Sequence, residues 1–140
     1  MLTASTPALD LLEATVDSDP RGRVFPAFPI NRATGAEHTA VVYFEVLPGE
    51  YLPTHTDSAE EILYVVAGEG EAHAGDERGR VRAGDLVVIP ALAPHGIANT
   101  GSETLKVVGF FCESTIESVF VEPLQPMGST RVTMGELVPA

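Results

Sequence analysis

Residues 49–68 read GEYLPTHTDSAEEILYVVAG, and the spacing of polar and apolar residues in this stretch indicates the fold. Glycines stand at both ends, polar side chains fill the first half, and an apolar run begins at Ile62. His55 and Asp57 are two residues apart, so on a β-strand their side chains leave the same face. Glu61 follows at the same parity, which predicts one shared face if the strand continues without a bulge.

The period-two pattern extends on both sides of this stretch, from about residue 37 onwards. We predict strands at 40–47, 61–67, 71–74, 79–82, 86–89, 105–111 and 118–121. Short strands separated by glycine turns, at a spacing of roughly 8–12 residues, are typical of a sandwich or barrel rather than of βαβ units. The pattern therefore predicts an all-β fold.

The chain of 140 residues is long enough for one domain and too short for two. We predict a single domain over 1–140, with a barrel core at about 37–112. The N-terminal arm, 1–36, is expected to contain one short helix, because Pro7 suits a first helical position and apolar residues follow at helical spacing. The C-terminal arm, 113–140, is apolar enough to pack across the barrel or a partner subunit.

Composition and charge narrow the classes of function. The chain has 20 acidic and 8 basic residues and a formal net charge of −12. Such a protein repels phosphate backbones and anionic lipid surfaces, so neither nucleic acid nor membrane is an expected partner. No apolar run reaches the roughly 18 residues of a membrane span. The single cysteine, Cys112, fits a reducing compartment, and we expect a cytoplasmic protein.

The residues that carry chemistry are two histidines and two carboxylates. His55, Asp57 and Glu61 lie in the first stretch, and His95 lies in a second, GDLVVIPALAPHGIAN, at residues 84–99. Their convergence inside a barrel would make a divalent metal site, and two histidines with one carboxylate are the set typical of non-haem Fe(II). Such a site leaves positions open for water, oxygen or substrate.

Both stretches resemble the two sequence motifs of the cupins. The first motif of that family is Gly, His-x-His, Glu and Gly at set spacing, and the second is Gly, Pro-x-Gly, His and Asn. The first spacing is kept here at Gly49, His55, Asp57, Glu61 and Gly68. The second is kept at Gly84, Pro90, Leu92, His95 and Asn99. The resemblance implies a cupin-type double-stranded β-helix, or jelly-roll barrel.

Two positions depart from the family pattern. Leu92 replaces a turn glycine, which costs little if the residue keeps a negative φ. Asp57 replaces the second histidine, which favours metals that prefer oxygen ligands. The resemblance implies a divalent ion held by His55, Asp57, Glu61 and His95, with Fe(II) favoured and Mn(II), Ni(II) or Zn(II) as alternatives. It also implies a small organic substrate in the barrel cavity and, because small cupins are often dimers, a homodimer.

Three functions of different classes follow from these residues and the resemblance. The first is a non-haem Fe(II) dioxygenase. The second is a non-redox lyase, isomerase, dehydratase or cyclase, in which the metal polarises an oxygen and Glu61, Asp57 or a cavity tyrosine such as Tyr64 moves the proton. The third is a binding module without turnover. Tyr43 and Glu45 are further candidates for the cavity, because strand parity leaves their direction open.

Overall fold

The computed structural model describes residues 1–136, which form twelve strands and two single turns of 3-10 helix. The 3-10 turns are Thr6–Ala8 and Arg32–Thr34. The strands are β1 (Ala14–Val16), β2 (Asp19–Ile30), β3 (Ala40–Val46), β4 (Tyr51–Asp57), β5 (Glu61–Ala67), β6 (Glu69–Ala74), β7 (Glu77–Arg82), β8 (Leu86–Ile89), β9 (His95–Asn99), β10 (Leu105–Phe111), β11 (Ile116–Leu124) and β12 (Ser129–Met134). No helix in this part of the chain is long and apolar enough to cross a membrane.

The strands form a curled sheet with two facing halves. One half has the order β2-β3-β10-β5-β8 and the other β7-β6-β9-β4, with β11 and then β12 added beyond β4. Within residues 1–136, all strand pairings are antiparallel except a single parallel contact between Gly22 and Tyr51, where β2 passes from one half to the other. This is the jelly-roll arrangement predicted from the sequence, and the all-β fold class is confirmed.

The core lies between the two halves because alternate side chains of every long strand point inward. Val46 of β3 and Leu105 and Val107 of β10 are fully buried, and Ile97 of β9 faces them from the other half with 1% of its surface exposed. Most outward positions of these strands are partly or largely exposed, with Tyr43 and Gly96 as buried exceptions. The inward faces of the strands therefore carry both the apolar residues of the core and the polar residues of the predicted metal site.

The last residue of the second motif closes the barrel end. The Asn99 side chain is buried, and its Nδ2 donates to the carbonyl oxygens of Val46 and Glu103, both at 2.8 Å. Its Oδ1 accepts from the backbone N–H of Gly101 at 2.9 Å. Each polar atom of this amide is thus satisfied by backbone, as a buried amide requires.

The condition under which the replacement of glycine by Leu92 would cost little, a negative φ, is not met. The φ of Leu92 is +65°, in the left-handed region that glycine adopts without strain. The Leu92 N–H donates to the carbonyl oxygen of Asp57 at 2.9 Å, and this bond joins the turn before β9 to the end of β4. The turn keeps its shape although the residue lacks glycine's freedom.

The predicted N-terminal helix is only the 3-10 turn at Thr6–Ala8, and none of its residues is buried. Beyond it the chain is extended, because sheet pairing satisfies its backbone. The N–H of Leu12 donates to the carbonyl of Pro26, and Thr15 exchanges two hydrogen bonds with Gln125. The β-branched residues Thr15 and Val16 suit this strand, so tertiary pairing decides over a weak helical pattern.

The segment after the barrel core packs on the barrel as a β-hairpin. β11 is longer than the predicted strand at 118–121, and it pairs with β4 through Ser118, Val119 and Phe120. β12 then pairs back onto β11. Residues 137–140 of the predicted C-terminal arm lie outside the described residues.

The outer face of the β3-β10-β5-β8 half carries an exposed apolar patch. In register, Phe110 lies beside Ile62 and Ile62 beside Val88, while Tyr64 lies beside Leu86. These five side chains are 38–68% exposed. Single exposed apolar residues are ordinary in soluble proteins, but a contiguous group marks a contact surface.

Candidate metal centre

Two adjacent strands bring the two histidines together. His55 in β4 is the direct cross-strand partner of His95 in β9, and their ring centroids are 4.2 Å apart. Both side chains point inward, because they occupy the buried positions of the strand alternation, and they are 7% and 2% exposed. The two sequence motifs, whose histidines are 40 positions apart, therefore meet at one point inside the barrel.

The two carboxylates arrive from opposite halves of the sheet. Asp57 is the last residue of β4, and the chain turns through residues 58–60 before Glu61 begins β5. The condition that one strand continues from Asp57 to Glu61 is thus not met, although both side chains still point inward. They are 3% and 4% exposed. Glu60 is exposed, as its position beside Glu61 predicts.

The backbone sets the orientation of both imidazoles. Nδ1 of His55 lies 2.9 Å from the carbonyl oxygen of Pro53, and Nδ1 of His95 lies 2.9 Å from that of Ala93. A carbonyl only accepts, so each Nδ1 carries the proton that it donates. The lone pair of each neutral ring is then on Nε2, which faces the cluster. This is the arrangement in which a histidine binds a metal through Nε2.

The ligand atoms have the spacing that one ion requires. Asp57 Oδ2 lies 3.1 Å from His95 Nε2 and 3.6 Å from His55 Nε2. Donor atoms about 2.0–2.2 Å from a common ion are separated by roughly 3.0–3.6 Å. Among the described residues, neither Asp57 Oδ2 nor His95 Nε2 has a hydrogen-bond partner, although both are buried. His55, Asp57 and His95 can therefore hold a divalent metal.

Glu61 lies beside this group of three rather than within it. Its Oε1 is 3.4 Å from His95 Nε2, while the other three residues form the group whose ligand atoms all lie within 4.8 Å of one another. The structure thus brings all four predicted residues to one place. It distinguishes a compact set of three donors from a neighbouring carboxyl group.

Without a bound ion, the side chains of Asp57, Glu61 and His95 compete for protons, and each shifts the pKa of the others. Burial alone would lower the pKa of His95, but the carboxylates of Asp57 and Glu61 outweigh it and raise that pKa to about 10. Burial alone would raise the pKa of Asp57, but the adjacent imidazoles of His55 and His95 outweigh burial and hold that pKa well below its usual range. The pKa of Glu61 is raised, first by burial and then by the charge of Asp57, against the opposing effect of His95. The cluster therefore favours an ionised Asp57 and a protonated His95.

Two further residues position the cluster, and the sequence alone did not reveal them. Ser118 of β11 donates from Oγ to Asp57 Oδ1 at 2.6 Å, leaving Oδ2 turned towards the histidines. The ring of Phe120 stacks on His55 with centroids 4.6 Å apart. Both come from a strand paired with β4 more than sixty residues away in sequence, and no local pattern indicates that pairing.

Gly109 of β10 makes room for Glu61. A Cβ at this position would overlap the Glu61 carboxylate and would lie 2.8 Å from Cγ1 of Val42. The glycine does not have a positive φ, so the reason for it here is space and not backbone freedom. Its place within a long apolar strand was the one available signal, since glycine inside a strand often marks a close approach.

The structure does not bring the predicted tyrosines into the site. Tyr64 is 38% exposed and belongs to the outer patch, on the opposite face of β5 from Glu61 and Leu63. Tyr43 is buried on the outer side of β3, where its hydroxyl donates to Glu45 Oε2 at 2.6 Å. None of these side chains lines the cavity described below. Tyr64 therefore lies outside both the cluster and the cavity.

The cluster lies in the wall of a cavity of about 210 Å³ inside the barrel. Apart from the cluster and Ser118, the lining consists of aliphatic and aromatic side chains, of Gly96 and, at the mouth, of Glu13. Leu12 and Met127 also line the cavity and are 57% and 51% exposed, so they stand at its rim. The N-terminal arm and the turn between β11 and β12 thus form the entrance.

Comparisons with known proteins agree with the fold. The family model of the cupin domain matches residues 42–111. An uncharacterised protein of Methanocaldococcus jannaschii is 37% identical over 51 residues, which is 36% of this chain and 41% of that protein.

Among solved structures, a proposed sugar phosphate isomerase of Acidithiobacillus ferrooxidans has a TM-score of 0.65 at 23% identity, covering 97% of this chain and 88% of that one. An oxalate decarboxylase of Lactobacillus farciminis has a TM-score of 0.68 at 22% identity, covering 79% and 33%. The oxalate decarboxylase of Bacillus subtilis, which contains Mn(II) centres, has a TM-score of 0.62 at 21% identity, covering 71% and 28%.

Proposed function

This chain belongs to the cupin family, and from that premise we propose that it is a metal-dependent enzyme of the non-haem Fe(II) oxygenase type acting on a small organic molecule. One observation carries the proposal. Two imidazole Nε2 atoms and one carboxylate oxygen converge in a buried cluster at the wall of a cavity. Two histidines and one carboxylate on one side of an ion, with the other positions open, are the donor set typical of Fe(II) oxygenases.

Each residue of the cluster has a separate task in this proposal. His55, Asp57 and His95 would hold the ion, which when bound supplies Lewis acidity and, as Fe(II), oxygen activation. Ser118 keeps the Asp57 carboxylate turned towards the ion. Glu61 is buried beside His95 and its pKa is raised by burial, so it holds a proton more tightly than an exposed glutamate and can exchange one with a group bound in the cavity.

A second candidate is a non-redox lyase or isomerase, and the position of Glu61 favours it. A protonated carboxyl group beside a metal site is what proton transfer next to a polarised oxygen requires. The solved neighbours are described as a proposed sugar phosphate isomerase and as decarboxylases, so this fold supports such chemistry elsewhere. Mn(II), Ni(II) or Zn(II) in place of Fe(II) would be compatible with this alternative.

Metal analysis of the purified protein tests the proposal. We expect near-stoichiometric iron in the wild type and in His38→Ala, and loss of the metal in His95→Ala. His38 is the matched control because its side chain is 89% exposed and lies outside the cluster. Metal retained by His95→Ala would refute the site.

Binding of a small ligand to the iron gives the second readout. Anaerobic Fe(II)-loaded protein should bind nitric oxide, an analogue of oxygen, and develop the electron paramagnetic resonance signal of a ferrous nitrosyl. Iron that does not bind nitric oxide would have no position for oxygen. That result, or a preference for manganese, nickel or zinc, would favour the non-redox candidate.

A further inference from the structure

The walls of the cavity differ in chemistry from the cluster at one side of it. Away from the cluster, a ligand would contact apolar side chains, such as Phe28, Phe44, Phe111, Leu52 and Val132. In the described part of the chain, no lysine, arginine, asparagine, glutamine, threonine or tyrosine lines it. A bound molecule thus meets polar groups only at the cluster and at the mouth.

The charges of the site offer little compensation for an anion. A divalent ion with an ionised Asp57 and a second carboxyl group nearby has at most one net positive charge, and none once Glu61 ionises. Arg23 lies beside Glu13 of the mouth, with its Nε 3.5 Å from Glu13 and 3.8 Å from Glu50. Arg23 does not line the cavity. A negative charge away from the cluster would lie unpaired among phenylalanine and aliphatic side chains, and one at the cluster would meet at most one net positive charge, which offsets only part of the cost of removing the anion from water.

The size of the cavity limits the ligand to about one ring. An apolar cavity of about 150 Å³ holds a benzene molecule. The volume here, about 210 Å³, has room for one ring and a few more non-hydrogen atoms. Phe120 stacks on His55 at the edge of the cluster, so a flat ring would meet an aromatic surface next to the metal donors.

We infer that the substrate of this site is a small, uncharged and mainly hydrocarbon molecule, with a single polar group placed at the cluster and its apolar part against the phenylalanine walls. The inference rests on the proposed function, since it names the class of molecule on which that site acts. Dicarboxylates, phosphorylated sugars and other multiply charged metabolites are outside this class.

The test compares probes of one shape and different charge. Phenol and benzene are neutral, whereas benzoate and phenyl phosphate are anions with the same ring. Each is titrated by calorimetry into the full chain, once metal-free and once loaded with Mn(II). We expect phenol to bind with a Kd of about 1 mM or tighter in both forms, because an apolar pocket alone supplies much of the affinity of such a ligand. Benzoate and phenyl phosphate should bind at least about 100-fold more weakly.

Two substitutions locate the binding. Val132→Phe fills the cavity and should weaken phenol binding at least tenfold, while Val121→Phe adds the same ring at a position of the same hairpin that is 81% exposed and should change nothing. Leu52→Phe, a second cavity residue, is used if circular dichroism shows that Val132→Phe is unfolded. Benzoate binding as tightly as phenol, no phenol binding, or an equal effect of the inner and outer substitutions would overturn the inference.

The metal-free arm separates this inference from the proposed function. If phenol binds selectively but the protein takes up no metal, the metal enzyme is refuted and the ligand class stands. If the metal binds at the cluster but the anions bind as well as phenol, the ligand class is refuted and the metal site stands.

Discussion

Uptake of a divalent ion by this site should depend steeply on pH, because the ion competes with a proton. In the metal-free protein the carboxylates of Asp57 and Glu61 raise the pKa of His95 to about 10, against an ordinary value of 6.5. At pH 7 only about one molecule in 1000 then has a neutral His95, three pH units below that pKa. The Nε2 lone pair is available only in that fraction, so the apparent affinity at pH 7 is lowered about 1000-fold.

The dependence has a defined slope. Each pH unit below 10 changes the neutral fraction tenfold, so the apparent Kd for Mn(II) should fall about 100-fold between pH 6.5 and pH 8.5. A histidine with the ordinary pKa of 6.5 would change the Kd only about twofold over the same range. A Kd that changes less than about threefold would refute the reasoning.

Calorimetry in two buffers of different ionisation enthalpy counts the protons released. We expect one proton per ion, from His95, if Glu61 stays protonated beside the three donors. Release of two protons would instead make Glu61 a fourth ligand. Glu61→Gln retains the three donors and is the control. The Glu61→Gln substitution removes one of the two carboxylates that raise the pKa of His95. The apparent Kd of this variant for Mn(II) should therefore stop falling at a lower pH than that of the wild type.

The same pKa shift determines the pH dependence of stability in the metal-free protein. His95 has a raised pKa in the folded state, so its contribution to folding is complete below about pH 6.5 and is lost as the pH rises towards 10. Urea denaturation of the metal-free protein should therefore show a free energy of unfolding that falls from pH 6.5 to pH 9. In the Mn(II)-loaded protein the fall should be absent, because the ion has replaced the proton.

The remaining predictions concern single side chains. Ser118→Ala should weaken metal binding about 10–100-fold by releasing the aspartate that it orients, and Ser118→Thr, which retains the hydroxyl, should restore binding in the same calorimetric titration. Gly109→Ala should cost about 1–3 kcal/mol of unfolding free energy in urea, and the cost should shrink in a Glu61→Ala background, since the overlap is with that carboxylate. Leu92→Gly should raise the stability by about 0.5–1 kcal/mol, because φ is +65° and the side chain is 69% exposed; an unchanged or lower melting temperature would contradict this. Wild type should sediment as a homodimer through the outer apolar patch and Leu86→Glu as a monomer, and a wild-type monomer would remove the patch as an interface.

Much of the fold and the membership of the cluster could be predicted from the sequence because they depend on local regularities. Alternation of apolar and polar residues specifies strands and their inward faces, and turn glycines separate them. The same parity that buries Leu63 and Val65 also places Glu61 inside. His55 and His95 were predicted together because two spaced motifs contained them. Pairing of β4 with β9 then makes the two histidines direct neighbours.

Tertiary structure alone decided the features that depend on contacts between distant segments. The N-terminal stretch became a strand because Thr15 and Gln125 pair across the chain. Ser118 became the partner of Asp57 through a pairing of strands that no local pattern specifies. Tyr64 was excluded from the cavity by the register of β5, and the lack of lysine and arginine among the described residues that line the cavity follows only from the assembled walls. The local sequence pattern determines whether a side chain points into or out of the sheet. The closed barrel determines which inward-pointing side chains from distant strands come into contact.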